Sequence, residues 1–362
     1  MYSFKTKSLG FTVATSLFLS GCAMSTRDAS VIAAEREAAL AAAQLMPDPA
    51  RYSTQTFDWR DEKRNRVVPV RLYLPTAETH ENPAKVPLVV FSHGIGGSRE
   101  GYKYLGRSFA AHGYASLHLQ HVGSDRQLWA GNPFSLISRL SGAAQDSEAI
   151  DRVQDLSFAL DQMLASPLGA RIDRTRIVAA GHSYGANTSM LAAGAVVERD
   201  GRKIALRDPR ISAAILLSAP PFYGAGDPKS ILGNIDIPTL HITATEDDIA
   251  IPGYRSGVAD RVEVYRAMGA TNPSPARGSK TLAVFNGGSH SIFTDRLGTG
   301  GLALNPKVKA ATRDLTLAFL QSLPAPDQPT AVNKSANDRS LASWHQQYAP
   351  LLAVFEQVVM GN

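Results

Sequence analysis

From Val86 onward the chain alternates two kinds of pattern. Short, nearly unbroken apolar runs recur: "VPLVVFSHG" (Val86–Gly94), "YASLHLQH" (Tyr114–His121), "RIVAAGH" (Arg176–His182), "RISAAILLSA" (Arg210–Ala219), "IPTLHITAT" (Ile237–Thr245) and "KTLAVFNGG" (Lys280–Gly288). Such runs read as strands buried on both faces of a parallel sheet, because a strand with one wet face alternates apolar and polar positions. Between them, "SREGYKYLGRSFAAHG" (Ser98–Gly113) and "SEAIDRVQDLSFALDQMLA" (Ser147–Ala165) carry apolar residues at helical spacing, and the first stops at Gly113. Helix-like segments fill the other intervals. The alternation predicts an α/β fold, a doubly wound, mostly parallel sheet with helices on both faces. Upstream, Tyr52–Pro75 alternates and breaks at a charged centre, which predicts an antiparallel pair of strands. Residues 322–340 are a Pro/Ser/Asn-rich loop, followed by a last amphipathic segment ending at Val359.

Composition narrows the function classes. The chain is 44% hydrophobic and 19% charged, as expected of a protein with a sizeable core. Its net charge of +5 falls to +3 without Lys5 and Lys7, and no basic run or aromatic-basic interleaving suggests nucleic-acid binding. The single cysteine, Cys22, excludes an internal disulfide. It follows a short basic region and an apolar stretch, Leu9–Leu19, that is too short to span a bilayer. Residues 1–21 therefore read as a signal peptide. Leu19-Ser20-Gly21-Cys22 resembles the bacterial lipobox, in which the cysteine is lipidated and anchors the chain to a membrane. Ala23 after it, in place of aspartate, implies sorting to the outer membrane. Residues 22–50 form an alanine-rich, partly helical tether ending at Pro47 and Pro49, and 51–362 form one folded domain.

The sequence "AAGHSYGA" sets Ser183 between Gly181 and Gly185, directly after an apolar run. Glycines two residues to either side permit the sharp strand-to-helix turn of a nucleophile elbow, G-x-S-x-G. A serine hydroxyl is a weak nucleophile until a histidine takes its proton and a carboxylate fixes that histidine's tautomer. Past later strands, "TATEDDIAIP" supplies Glu246, Asp247 and Asp248, and "FNGGSHSIF" supplies His290 behind two glycines. The order Ser, acid, His, each just after a strand, is that of a hydrolytic triad. Asp247 is favoured as the acid, with Asp248 its rival.

Among the other histidines, His182 flanks the serine and should point away from it, and His241 lies within a strand and reads as core. His118 and His121 are three apart on a strand and so face opposite sides, which disfavours a metal pair. His80 and His345 sit in polar surroundings with nothing convergent. A tetrahedral intermediate also needs backbone N–H donors. One is expected from Tyr184 and the other from Ile95, in the glycine-rich "FSHGIGGS". Residues 122–145 form an insertion whose Trp129, Phe134, Leu136 and Ile137 either pack it onto the body or make a lid over an acyl pocket.

With these residues placed, the chain resembles the bacterial α/β-hydrolases grouped as predicted dienelactone hydrolases, which are similar to type II platelet-activating-factor acetylhydrolases and to chlorophyllases. The likeness rests on "VVFSHGIGGSREGYKYLGRSFAAHGYASLHLQHVGSD", "AAGHSYGA", "HITATEDD" and "GGSHSIF", and covers roughly Tyr52 to Pro324. It implies an α/β-hydrolase fold and hydrolysis of a small-molecule or lipid carboxylic ester through an acyl-enzyme, without metal or organic cofactor. Dienelactone hydrolases proper use a cysteine nucleophile, so Ser183 argues against dienelactone as substrate. The same triad also serves amidases, peptidases and acyltransferases, and a non-catalytic envelope lipoprotein could keep the fold as a binding module.

Overall fold

The computed structural model describes residues 29–76, 85–251, 253–271, 279–324 and 340–359. The expected signal segment, Cys22 and His80 lie outside them. Nine strands form one sheet in the order β1-β2-β4-β3-β5-β8-β9-β12-β13. The six runs recognised in the sequence are β3 (Val86–Ser92), β4 (Ala115–Leu119), β5 (Ile172–His182), β8 (Ile211–Leu217), β9 (Thr239–Glu246) and β12 (Ser279–Ser289), all parallel. Antiparallel strands flank them. β1 (Tyr52–Asp61) and β2 (Arg66–Pro75) pair from Tyr52 opposite Pro75 to Asp61 opposite Arg66, and β2 joins β4.

At the other edge the last amphipathic segment divides. Residues 340–348 are helical, and β13 (Leu352–Val359) runs antiparallel to β12. Trp344 anchors the helical part, buried, with its indole N–H donating to Ala311 O at 2.9 Å.

Helices cover both faces. α4 (Asp146–Ala165), α5 (Tyr184–Ala193), α6 (Pro228–Leu232) and α7 (Val258–Ala267) bring Leu156, Met190, Ile231 and Val264 to one core. α2 (Lys103–Ala111) and α8 (Leu304–Ser322) bring Phe109, Leu315 and Phe319 to the other. The expected tether is more ordered than a free leash. α1 (Ala29–Gln44) lies on α8, and both its Ala38 and Leu45 just beyond it are buried.

Two intervals expected to be helical contain hairpins. β6 (Val196–Arg199) and β7 (Arg202–Ala205) are joined by Asp200-Gly201, both at positive φ as the tight turn demands. β10 (Ile249–Ile251) and β11 (Tyr254–Ser256) make the second, directly after β9.

The strand order decides where a cleft opens. The chain leaves β3 through α2 to reach β4 on one side, then crosses back through α4 to β5 on the other. The loops leaving β3 and β5 therefore part toward opposite faces, and a crevice forms at the carboxyl ends of these neighbouring strands. Ile95 and Ser183 sit on those two loops.

Candidate active site

Ser183 stands at the end of β5 with φ 55° and ψ −122°, a conformation that L-residues adopt only under constraint. The constraint is close packing. A Cβ on Gly181 would lie 2.1 Å from Gly185 O, and one on Gly185 would lie 1.9 Å from Ser92 O. Neither glycine can be replaced without moving backbone. Ser183 N–H donates to Leu217 O at 2.9 Å, pinning the turn to β8. The serine caps α5, whose amide dipoles point their positive end at it.

His290 directly follows β12, whose last residues are turned by Gly287 and Gly288, both at positive φ. Its Nε2 lies 2.8 Å from Ser183 Oγ, and its Nδ1 lies 2.6 Å from Asp247 Oδ1. A carboxylate accepts only, so Nδ1 carries the proton and Nε2 is left to accept from the serine hydroxyl.

Asp247 follows β9 and is fully buried, whereas Asp248 and Glu246 are exposed. Of the acids in "TEDD", it alone meets His290. Thr243 Oγ1 donates to its second oxygen at 2.6 Å, and Arg261 Nε of α7 lies 3.3 Å from the same atom. Burial pushes this carboxyl upward, but the bond to His290 and the nearby charges of His290 and Arg261 outweigh it. The net result is a carboxyl well below its usual range.

Across the cleft, Gly94 packs against Ser183, and a Cβ on it would lie 3.2 Å from Ser183 Cβ. The oxygen of the Gly94–Ile95 peptide is held by His93 Nδ1 at 2.7 Å and by Gly97 N–H at 3.0 Å. In a trans peptide the N–H points opposite to the carbonyl, so fixing Gly94 O also fixes the Ile95 N–H. The Ser183–Tyr184 peptide is fixed likewise, through Ala186 N–H to Ser183 O at 2.8 Å. Neither the Ile95 nor the Tyr184 amide makes a hydrogen bond among the described residues.

His182 does more than flank the serine. Its Nε2 donates to the carbonyl of His290, and its Nδ1 accepts from the hydroxyl of Tyr102, each at 2.8 Å. His241 is core, buried in β9 with its ring edge-on to Tyr265. His118 and His121 turn apart, the first toward Gly101 O and the second toward Ser92 and Asp155. His345 stacks on Phe355.

The insertion holds α3 (Leu136–Ala143), preceded by two short 3-10 turns, Arg126–Trp129 and Pro133–Ser135. Trp129 touches the body, its indole donating to Gly96 O at 2.9 Å. Phe134 and Ile137 do not pack onto it. They are 95% and 66% exposed, and Leu136 is half-buried.

Sequence reading missed Tyr102, Thr243, Arg261 and Arg152. Only Arg152 left a visible signal, a charged residue in register with Ala149, Val153 and Leu156 on the apolar face of α4.

No curated protein gives a significant match to this sequence. A family model described as "Alpha/beta hydrolase family" matches residues 89–361, a span that runs from β3 through β13 and takes in every residue of the site. With that match and a mostly parallel nine-stranded sheet carrying the elbow serine, the chain belongs to the alpha/beta hydrolase family.

Proposed function

We propose that this hydrolase is a serine esterase. Ser183 Oγ attacks the ester carbonyl while His290 Nε2 takes its proton. The carbon–oxygen bond to the alcohol then breaks, and His290 returns the proton to the departing oxygen. Water repeats the sequence on the acyl-serine and releases the acid. Asp247 holds the imidazole in the required tautomer and balances its charge, and the amides of Ile95 and Tyr184 receive the oxyanion. The observation that supports this most is the unbroken chain from Ser183 Oγ through His290 to Asp247, at 2.8 and 2.6 Å.

The narrower likeness to predicted dienelactone hydrolases rests on the four motifs quoted above, with an ester other than dienelactone as substrate. Leu19–Cys22 supports a lipid anchor on the bacterial envelope, with the outer membrane as its site.

The test is hydrolysis of a p-nitrophenyl ester series from acetyl to palmitoyl, with Ser183→Ala alongside. Turnover that depends on Ser183 and peaks at one chain length supports the reading. Equal turnover by folded Ser183→Ala removes it.

A further inference from the structure

Arg152 is among the largest fully buried side chains of the molecule, and a guanidinium there demands explanation. Burial pushes it down to about 10, with Tyr184, Glu148 and Asp155 pulling the other way, so it remains a cation at neutral pH. Its N–H groups reach three separate segments. Nη2 donates to His93 O, immediately before the Gly94–Ile95 peptide. Nη1 donates to Ser124 Oγ at 2.7 Å, and the carbonyl of the same Ser124 takes the Gly96 N–H at 2.8 Å, immediately after Ile95. Nε donates to Thr188 Oγ1 at 2.9 Å, which in turn donates to Tyr184 O at 3.1 Å. The guanidinium also lies 4.4 Å from the centre of the Tyr184 ring.

These contacts are not scattered over the core. They bracket Ile95 on both sides and grip the first turn of α5, the two pieces of backbone whose amides are free to meet an oxyanion. Glu148, which accepts from Ser124 Oγ at 2.7 Å, balances the charge from one turn earlier on α4. A guanidinium is suited to this work, since its donors leave a rigid plane in fixed directions.

We propose that Arg152 is a positioning residue that clamps the Ile95 and Tyr184 amides into one oxyanion site. This rests on the esterase reading. An arginine that merely glued α4 to the sheet would affect stability, whereas a clamp on the oxyanion donors affects the transition state more than the bound substrate.

The experiment compares wild-type full-length protein with Arg152→Met and Arg152→Lys, using p-nitrophenyl butyrate and an alkyl trifluoromethyl ketone that mimics the tetrahedral adduct. Loss of a single oxyanion donor costs on the order of 10²–10³ in kcat. The expected result for Arg152→Met is a kcat lowered by about 100-fold at nearly unchanged KM, with the ketone's affinity falling in proportion. Arg152→Lys keeps the charge without the fork and should lie between. A folded Arg152→Met with wild-type kcat overturns the proposal, and so does a ketone affinity that stays constant while kcat falls.

Should Arg152→Met not fold, the double variant Ser124→Ala/Thr188→Val cuts two of the three links and decides by the same two readouts. A fluorophosphonate label separates this from the parent reading. Wild type that takes no label at Ser183 removes the esterase itself, whereas labelled wild type beside an unimpaired Arg152→Met removes only the clamp.

Discussion

His182 donates from Nε2 to the backbone carbonyl of His290 at 2.8 Å, so the histidine beside Ser183 holds the main chain of the histidine that meets Ser183 Oγ. A carbonyl only accepts, which places the proton on Nε2 and leaves Nδ1 to accept from Tyr102. Burial and the neighbouring His290 push the His182 imidazole down to about 3, so it stays neutral and both bonds keep their direction at any working pH. His290 is thus tied by its side chain to Asp247 and by its backbone to His182. His182→Phe is expected to lower kcat by roughly 10- to 100-fold with KM little changed, since small misplacements of a reacting group carry costs of that order. Tyr102→Phe, which removes only the outer donor, should lose less. Steady-state kinetics of the two variants check the order.

Asp247→Asn and Asp248→Asn should differ sharply. The first replaces the buried partner of His290 and permits the wrong tautomer, a change expected to cost about 10⁴ in kcat. The second alters an exposed side chain and should leave kcat within about two-fold, because surface changes away from buried contacts are close to neutral. Comparable losses in both variants would reject Asp247 as the sole acid.

Arg261 adds to His290 in keeping Asp247 ionised against the penalty of burial. In Arg261→Met that penalty is opposed only by His290 and Thr243, so the carboxyl protonates at a higher pH than in the wild type. The ionised form is the one that orients His290, so activity should be lost earlier as pH falls. A kcat/KM profile is expected to show its acid limb moved upward, and an unmoved limb would refute the assignment.

Five buried histidines make the fold acid-sensitive. His93, His118, His121, His182 and His241 are all shifted down from 6.5 by burial, to about 4 for His118 and about 3 for His182 and His241. Their folded pKa values lie below the unfolded one. The unfolded chain therefore takes up protons first as pH drops through 6.5, and stability falls from there, until His118 titrates near 4 and His182 and His241 near 3. Each contributes about 1.4 kcal/mol per pH unit in that window. Urea midpoints at pH 7.5, 6 and 5 should decline, with a shallower decline in His241→Phe. A midpoint that holds constant would contradict this.

Phe134 and Ile137 offer a test of the insertion. Both are largely exposed, so Phe134→Ser/Ile137→Ser should leave the melting temperature unchanged. If they contact the acyl chain, turnover of palmitoyl relative to acetyl ester drops by about ten-fold or more, the order expected for lost apolar contacts. An unchanged ratio removes the lid.

Much of this was legible in the sequence because it is local. Unbroken apolar runs such as Val86–Ser92 and Ile211–Leu217 leave no wet face, so they dictate buried parallel strands and, by alternation with helices, the α/β fold. Gly181 and Gly185 are demanded by atoms only a few residues away or on the adjoining strand, so the elbow shows as a spacing. The Asp200-Gly201 hairpin was equally local and was overlooked for a helix.

Other features depend on which distant segments meet. Asp247 and Asp248 are neighbours of identical chemistry, and only the turn after β9 decides which one is buried against a residue 43 positions away. Residues 352–359 alternate too weakly to announce a strand, and became one because β12 offered an open edge. Arg261 reaches Asp247 across 14 positions of chain, Arg152 reaches Ser124 across 28, and Tyr102 reaches His182 across 80. Polar groups inside a core are satisfied by whatever partner the fold brings, and no short-range pattern encodes that partner. The apolar runs and the glycine spacing account for the sheet, the turn at Ser183 and the chain order Ser183, Asp247, His290, because each is local; only the folded chain separates Asp247 from Asp248 and supplies the buried donors around them.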